Sequence, residues 1–376
     1  MKKIIYILIL CLAPAGPALA EIQCNQFEII LYSRVWRVTS YFVQDDIVLN
    51  PNKDFEILEP EGIAYKSGFV YASGDREQWS SGSRLAIYTW QSNVLAYSGY
   101  LQMPNTSPNW WGPDGLTFNL SGDASSYGSG PNNLVSVEVD TPSQAGIIDI
   151  TTGSVTGKKP ITLADDITHI ASTGQFAAIA DDNEISTVTI YDKMLDIAER
   201  NFPVIDGSRG IASVSSNFGE WMSGKTVSGG GFIITSAQDG VNTLVMYDLA
   251  GNQVGPQNRL PAAPKARIPL GGGLYMVYPA FGSIEAVAVD EANKTLFIGD
   301  ESNAMLHVLT FVRLAADFDG DGDVDSTDLE IFAGQWLLAD CVSPGWCSGT
   351  DLDRNGIVDL YDYALFAEYW QISEIY

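Results

Sequence analysis

Two segments that begin 34 residues apart carry the same spacing of oxygen-bearing side chains. The first runs Asp317-Phe318-Asp319-Gly320-Asp321-Gly322-Asp323-Val324-Asp325-Ser326-Thr327-Asp328 and the second Asp351-Leu352-Asp353-Arg354-Asn355-Gly356-Ile357-Val358-Asp359-Leu360-Tyr361-Asp362. Oxygen side chains fall at loop positions 1, 3, 5, 9 and 12 of both, with glycine at 6 and valine at 8. Calcium needs that pattern: about six to eight hard oxygens, a sharp bend, and a last carboxylate that opens a helix. Position 7 supplies a backbone carbonyl, so Asp323 and Ile357 complete the two candidate ligand sets. Two Ca2+ sites are therefore expected. Each loop leads into one short predicted helix, residues 329–338 and 363–371. Phe332, Ala333 and Trp336 in the first match Phe366, Ala367 and Trp370 in the second, which puts them on one helical face.

The segment 315–376 holds 14 acids and a single base, Arg354. A core this small has little apolar burial to set against such repulsion, and bound cations are expected to supply the difference. Loop-then-helix, duplicated, with Asp rather than Glu at position 12 and no entering helix, resembles the type I dockerin module. That resemblance implies a calcium-dependent unit that binds a cohesin-like domain on another protein. It also implies a role in assembling secreted carbohydrate-active proteins, with polysaccharide as the substance bound or broken down. The positions that carry partner recognition in dockerins correspond here to Ser326 and Thr327 in the first copy, and to Leu360 and Tyr361 in the second. Ser-Thr matches a familiar dockerin pair and Leu-Tyr does not. The Cys341–Cys347 insert between the copies is no standard part of the module.

Residues 21–314 read as a β domain. Glu61-Gly62-Ile63-Ala64-Tyr65, Asp114-Gly115-Leu116-Thr117-Phe118, Asp166-Ile167-Thr168-His169-Ile170, Gly210-Ile211-Ala212-Ser213-Val214 and Glu285-Ala286-Val287-Ala288-Val289 each begin a unit of several short alternating strands. Repeats of this size with several strands each are the signature of propeller blades. A five-bladed ring is expected, or six-bladed given the long interval after Gly210, with a strand near residues 28–43 completing the last blade. A two-sheet sandwich is the alternative. The blade pattern is similar to NHL-like and phytase-like propellers. It carries no unique catalytic signature.

First strands start with an acid (Glu61, Asp114, Asp166, Glu285) and second strands end with one (Asp75, Asp181, Asp239, Asp300). Antiparallel neighbours put those starts beside those ends. Glu61, Asp75, Asp114, Asp166, Asp181 and Asp300 are therefore the candidate acidic mouth, fit for a cation or an acid/base pair, and a calcium-dependent hydrolase is the alternative function. Turn chemistry alone explains each acid singly. Trp79, Trp90, Trp110, Trp111 and Trp221 are candidates for stacking on sugars, against the alternative of core packing. Gly219-Glu220-Trp221-Met222-Ser223-Gly224-Lys225-Thr226 fits the phosphate-loop pattern, but no helix pattern follows it and the reading is rejected. His169 and His307 sit in strand patterns and are read as packed.

Lys2 and Lys3, the apolar run 4–13 and Ala18-Leu19-Ala20 read as a signal peptide over residues 1–20. The expected product is secreted or cell-surface associated, and loss of the leader takes the formal charge from −26 to −28. Such acidity disfavours nucleic acid, and no other run reaches the roughly 18 apolar residues of a membrane span. In an oxidising setting Cys341 and Cys347 are expected to pair, which leaves Cys24 odd.

Overall fold

The computed structural model describes residues 26–42, 60–74, 84–103, 113–121, 123–138, 143–162, 164–181, 185–261, 268–271, 274–276, 281–302, 305–342 and 345–370. The signal-peptide reading, Cys24, Asp75, Trp79, Trp110 and Trp111 lie outside them.

The chain is mostly β, and its antiparallel sheets form a five-bladed propeller. Blade 1 holds β3 (Pro60–Lys66), β4 (Phe69–Gly74), β5 (Arg84–Gln91) and β6 (Val94–Gln102). Blade 2 holds β7 (Gly115–Phe118), β8 (Asn133–Glu138), β9 (Gln144–Asp149) and β10 (Val155–Pro160). Blade 3 holds β11 (Asp166–Ile170), β12 (Gln175–Asp181), β13 (Ser186–Tyr191) and β14 (Ala198–Pro203). Blade 4 holds β15 (Ser208–Val214), β16 (Gly231–Gln238), β17 (Val241–Asp248) and β18 (Gln253–Arg259). Blade 5 takes β21 (Ile284–Asp290), β22 (Thr295–Asp300) and β23 (Met305–Leu314) from late in the chain, and adds β2 (Arg34–Phe42) and β1 (Gln26–Leu31) from early in it. β2 pairs with β23 from Arg34↔Leu314 to Phe42↔Met305, so the two ends of the propeller sequence are sewn into one sheet.

The inner strands β3, β7, β11, β15 and β21 touch in sequence, and β21 returns to β3, closing the ring. Among the described residues, the long interval after Gly210 holds no sixth blade. It holds α1 (Ser216–Ser223) and the two-stranded pair β19 (Ile268–Gly271) and β20 (Leu274–Met276). The phosphate-loop pattern falls largely inside α1 itself, with Gly224 as its left-handed C-cap at φ 65°, so no phosphate-cradling loop exists there.

Strand alternation explains the core. Each blade turns one apolar face to the preceding blade and the other to the next. Tyr71 and Leu85 meet Leu116 and Leu134 between blades 1 and 2. Val135 and Val137 meet Ile167 and Phe176 between blades 2 and 3. Ile179 and Val188 meet Phe232 and Ile234 between blades 3 and 4. Ile233 and Met246 meet Trp36 and Ile284 between blades 4 and 5. Phe297 and Val308 meet Ile63 and Trp90 between blades 5 and 1. The inner strands crowd at one end, which glycine makes possible. A Cβ at Gly62 would lie 2.1 Å from the Asp114 carbonyl oxygen, and one at Gly210 would lie 2.6 Å from that of Glu285.

After β23 come two loop–helix units. Residues 317–328 lead into α2 (Ser326–Gly334) and residues 351–362 into α3 (Leu360–Tyr369). Both helices begin three residues earlier than the sequence periodicity suggests, because Asp325 and Asp359 are N-caps and each closes a capping box with Asp328 or Asp362. Cys341 and Cys347 are joined by a disulfide. No helix among the described residues is long and apolar enough to cross a membrane.

Candidate functional site

The strand registers bring the starts of the first strands and the ends of the second strands to one face of the propeller. Aligning the inner strands by those registers makes Glu61, Asp114, Asp165, Arg209 and Glu285 equivalent, one from each blade. The third blade's equivalent is Asp165, one residue before the expected Asp166, and the fourth blade contributes a base. A one-residue step reverses the direction of a strand side chain. Asp166 accordingly turns into the wall, 1% exposed. Its carboxylate accepts the amides of Leu116 at 3.2 Å, Ile167 at 2.8 Å and Ile211 at 2.9 Å, tying β7, β11 and β15 together. Burial pushes its pKa well up against those donors. Asp181 ends β12 on the mouth face.

Asp300 is also walled in. It accepts the amides of Gly282 at 2.6 Å and Ser283 at 3.0 Å, and His307 Nε2 lies 3.1 Å away. His307 Nδ1 is 2.7 Å from the Ser40 hydroxyl. This Ser–His–Asp chain has the composition of a nucleophile triad, but all three residues are buried, so it joins β2, β22 and β23 and offers no nucleophile to solvent.

Of the groups at the mouth, Glu61, Arg209, Ser283 and Glu301 converge on Glu285. Arg209 Nη1 donates to both its carboxylate oxygens, at 3.0 and 3.1 Å, and Ser283 Oγ donates at 3.1 Å. Glu61, Glu285 and Glu301 each place an oxygen within 4.8 Å of the others, although Glu301 follows the end of β22 and belongs to none of the expected positions. Burial, helped by a hydrogen bond shared with Glu301, pushes the Glu285 pKa up to about 8, against the pull of Arg209. A cluster of carboxyl groups this close can hold a cation or exchange a proton with a ligand. Trp90 and Trp221 are core residues at 5% and 7% exposure. Arg34 and Lys294 each sit 4.7 Å from the Trp221 ring centroid, which removes it as a sugar platform.

The two acidic loops fold alike. Gly322 and Gly356, at φ 95° and 98°, make the bend at position 6 and donate to Asp317 and Asp351. Asp325 and Asp359 donate their amides to Asp328 and Asp362 at 2.9 and 2.8 Å. The oxygens of Asp317, Asp319 and Asp328 lie within 4.8 Å of one another, as do those of Asp323, Asp325 and Asp328, and those of Asp351, Asp353 and Asp362. Oxygens about 2.4 Å from a common Ca2+ can be separated by up to twice that distance, so the sets fit. Asp317, Asp328, Asp351 and Asp362 are all buried, and burial and neighbouring carboxylates push Asp317 and Asp351 up in pKa. Asp323 Oδ1 is buried with no hydrogen-bond partner. The chemistry of these donors is that of a hard divalent cation. Asp321, Asn355 and Ile357 fill the remaining positions; Asn355 Oδ1 accepts the Ile357 amide at 2.9 Å. Ser326 and Thr327 are exposed in the first turn of α2, and Leu360 and Tyr361 are 70% and 72% exposed in the first turn of α3.

No protein-family model and no curated protein sequence matches the chain. Among solved structures, an auxiliary nutrient binding protein from Bacteroides thetaiotaomicron is 11% identical, covering 78% of this chain and 70% of that one at a TM-score of 0.38. The WD40 β-propeller domain of Doa1 is 14% identical, covering 77% of this chain and 94% of that one at a TM-score of 0.34. Likenesses this distant say nothing about function.

Proposed function

We propose that the chain is an exported propeller held on a partner by a calcium-dependent, dockerin-like tail, and that it serves polysaccharide binding or breakdown. The observation that carries the reading is the burial of Asp317, Asp328, Asp351 and Asp362 in two matching loops, within a segment whose one base is Arg354. Buried carboxylates in such number need a compensating cation. Each loop also ends in an exposed pair at the start of its helix. Leu360 and Tyr361 form an apolar pair suited to a protein partner, while Ser326 and Thr327 are polar, so the α3 end is the docking face of this reading. The test is binding of the full chain to a panel of purified cohesin domains, with calcium and with EDTA. Calcium-dependent binding to one cohesin, lost in Leu360→Asp, supports it. No binding to any cohesin in calcium overturns the docking half.

A second reading places a calcium-dependent hydrolase at the mouth, and the Glu285–Glu301 pair favours it. Polysaccharide hydrolysis that survives Leu360→Asp and disappears in Glu301→Gln supports that alternative.

A further inference from the structure

β23 ends at Leu314, and the first loop ligand, Asp317, follows after only Ala315 and Ala316, both buried. There is no linker between propeller and tail. The Ala315 amide donates to the Ser33 carbonyl at 2.9 Å, in the turn between β1 and β2. Strand alternation then divides the β1–β2 hairpin between two cores. Ile29, Leu31, Trp36 and Val38 face blade 4. Val35, with Ile30 packed beside it, joins Leu314, Phe332, Val358 and Phe366 in a sixth core shared with the tail. The hairpin is the piece that closes the ring, because β2 pairs with β23 along its length. The tail thus covers the outward face of the closing strands, and Val324 and Val358 bring both loops into that same core.

We infer that cation binding in the tail loops is coupled to closure of the propeller, with the β1–β2 hairpin as the element both share. The inference rests on the reading of the loops as calcium sites. A folded tail buries Val35 and Ile30 and holds Ser33. A tail unfolded by repulsion among its carboxylates leaves one side of the hairpin bare and its closure weaker. Coupling between sites is reciprocal, so an intact hairpin also raises the affinity of the loops for the ion.

Hydrogen exchange of the full chain, in calcium and in EDTA, tests this through amides that carry no ligand. The expected result is about tenfold slower exchange in residues 26–42 with calcium, the size of an ordinary coupling, with β8 and β12 unchanged. Slowed exchange at 315–370 with unchanged exchange at 26–42 overturns the coupling and leaves the calcium reading intact. Unchanged exchange at 315–370 overturns the calcium reading itself. Val35→Ala gives a second readout, since it removes a contact to the tail core and no ligand. Calcium affinity several-fold weaker than in the wild type is expected, and equal affinity contradicts the coupling.

Discussion

Blade 5 packs both into the ring and against the tail, and the two kinds of core differ in what they can survive. On the blade 4 side, Trp36, Ile284 and Leu309 of blade 5 meet Ile233, Leu244 and Met246 among fully or nearly fully buried side chains. That core is one of five around the ring, so each blade has a neighbour on both faces. Beside those cores, Val35 and Leu314 meet a tail with 14 acids and one arginine across residues 315–376. The ring buries a few acids, such as Asp166 and Asp300, but meets each with backbone amides or His307, inside cores that are otherwise apolar. The tail wraps a small core in carboxylates, four of them buried, and among the described residues it is held by its contact with blade 5 and one disulfide. The ring is held by its own five cores, with its closing hairpin shared with the tail, and under the proposed calcium reading the tail is conditional on what it binds.

The comparison breaks most visibly inside the ring. Trp36→Ala leaves a large void between blades 4 and 5 and is expected to cost about 4 kcal/mol of stability, read by denaturant unfolding in EDTA. Asp300→Ala strands His307 and the amides of Gly282 and Ser283 in a buried site, and about 3 kcal/mol should be lost by the same measurement. The rim effect is smaller and depends on pH. Glu285 holds a proton when folded that it releases when unfolded, so its contribution is present below pH 4.5 and is lost as pH rises toward about 8. Stability of the wild type should therefore fall across that window more steeply than that of Glu285→Gln; parallel pH profiles would remove Glu285 from the account. At the small end, Leu360→Asp on the tail surface should shift stability by no more than about 0.5 kcal/mol, even as it removes docking.

The blades were legible because strand period and repeat length are properties of local sequence. The pentapeptides from Glu61, Asp114, Asp166, Gly210 and Glu285 each begin within two residues of the start of an inner strand, and the one from Asp166 coincides with β11. What misled was a choice between neighbouring residues: Asp165 and Asp166 have the same chemistry, and only the register with β12 shows which one faces the mouth. Arg209 escaped a search for acids, although its place before Gly210 matches Glu61 before Gly62. Asp300 looked like a rim acid because it ends a strand, but its partners, Gly282, Ser283 and His307, come from turns and pairings that no local pattern reveals. The shape of both loops was legible from spacing alone, since their bends, caps and carboxylates lie within twelve residues of each other. The junction with the propeller was hidden, because Val35 and Phe366 are distant in sequence and meet only through closure of the ring.

Calcium stoichiometry of the full chain by titration calorimetry, beside a variant carrying both Asp328→Asn and Asp362→Asn, tests the contrast between a ring held by its own cores and a cation-dependent tail most directly. The account predicts two ions in the wild type and none in the double variant. Ions retained by the double variant would contradict it and move the metal to Glu61, Glu285 and Glu301 at the mouth, and a wild type that binds none would contradict the cation-dependent tail outright, leaving backbone amides as the partners of its buried carboxylates.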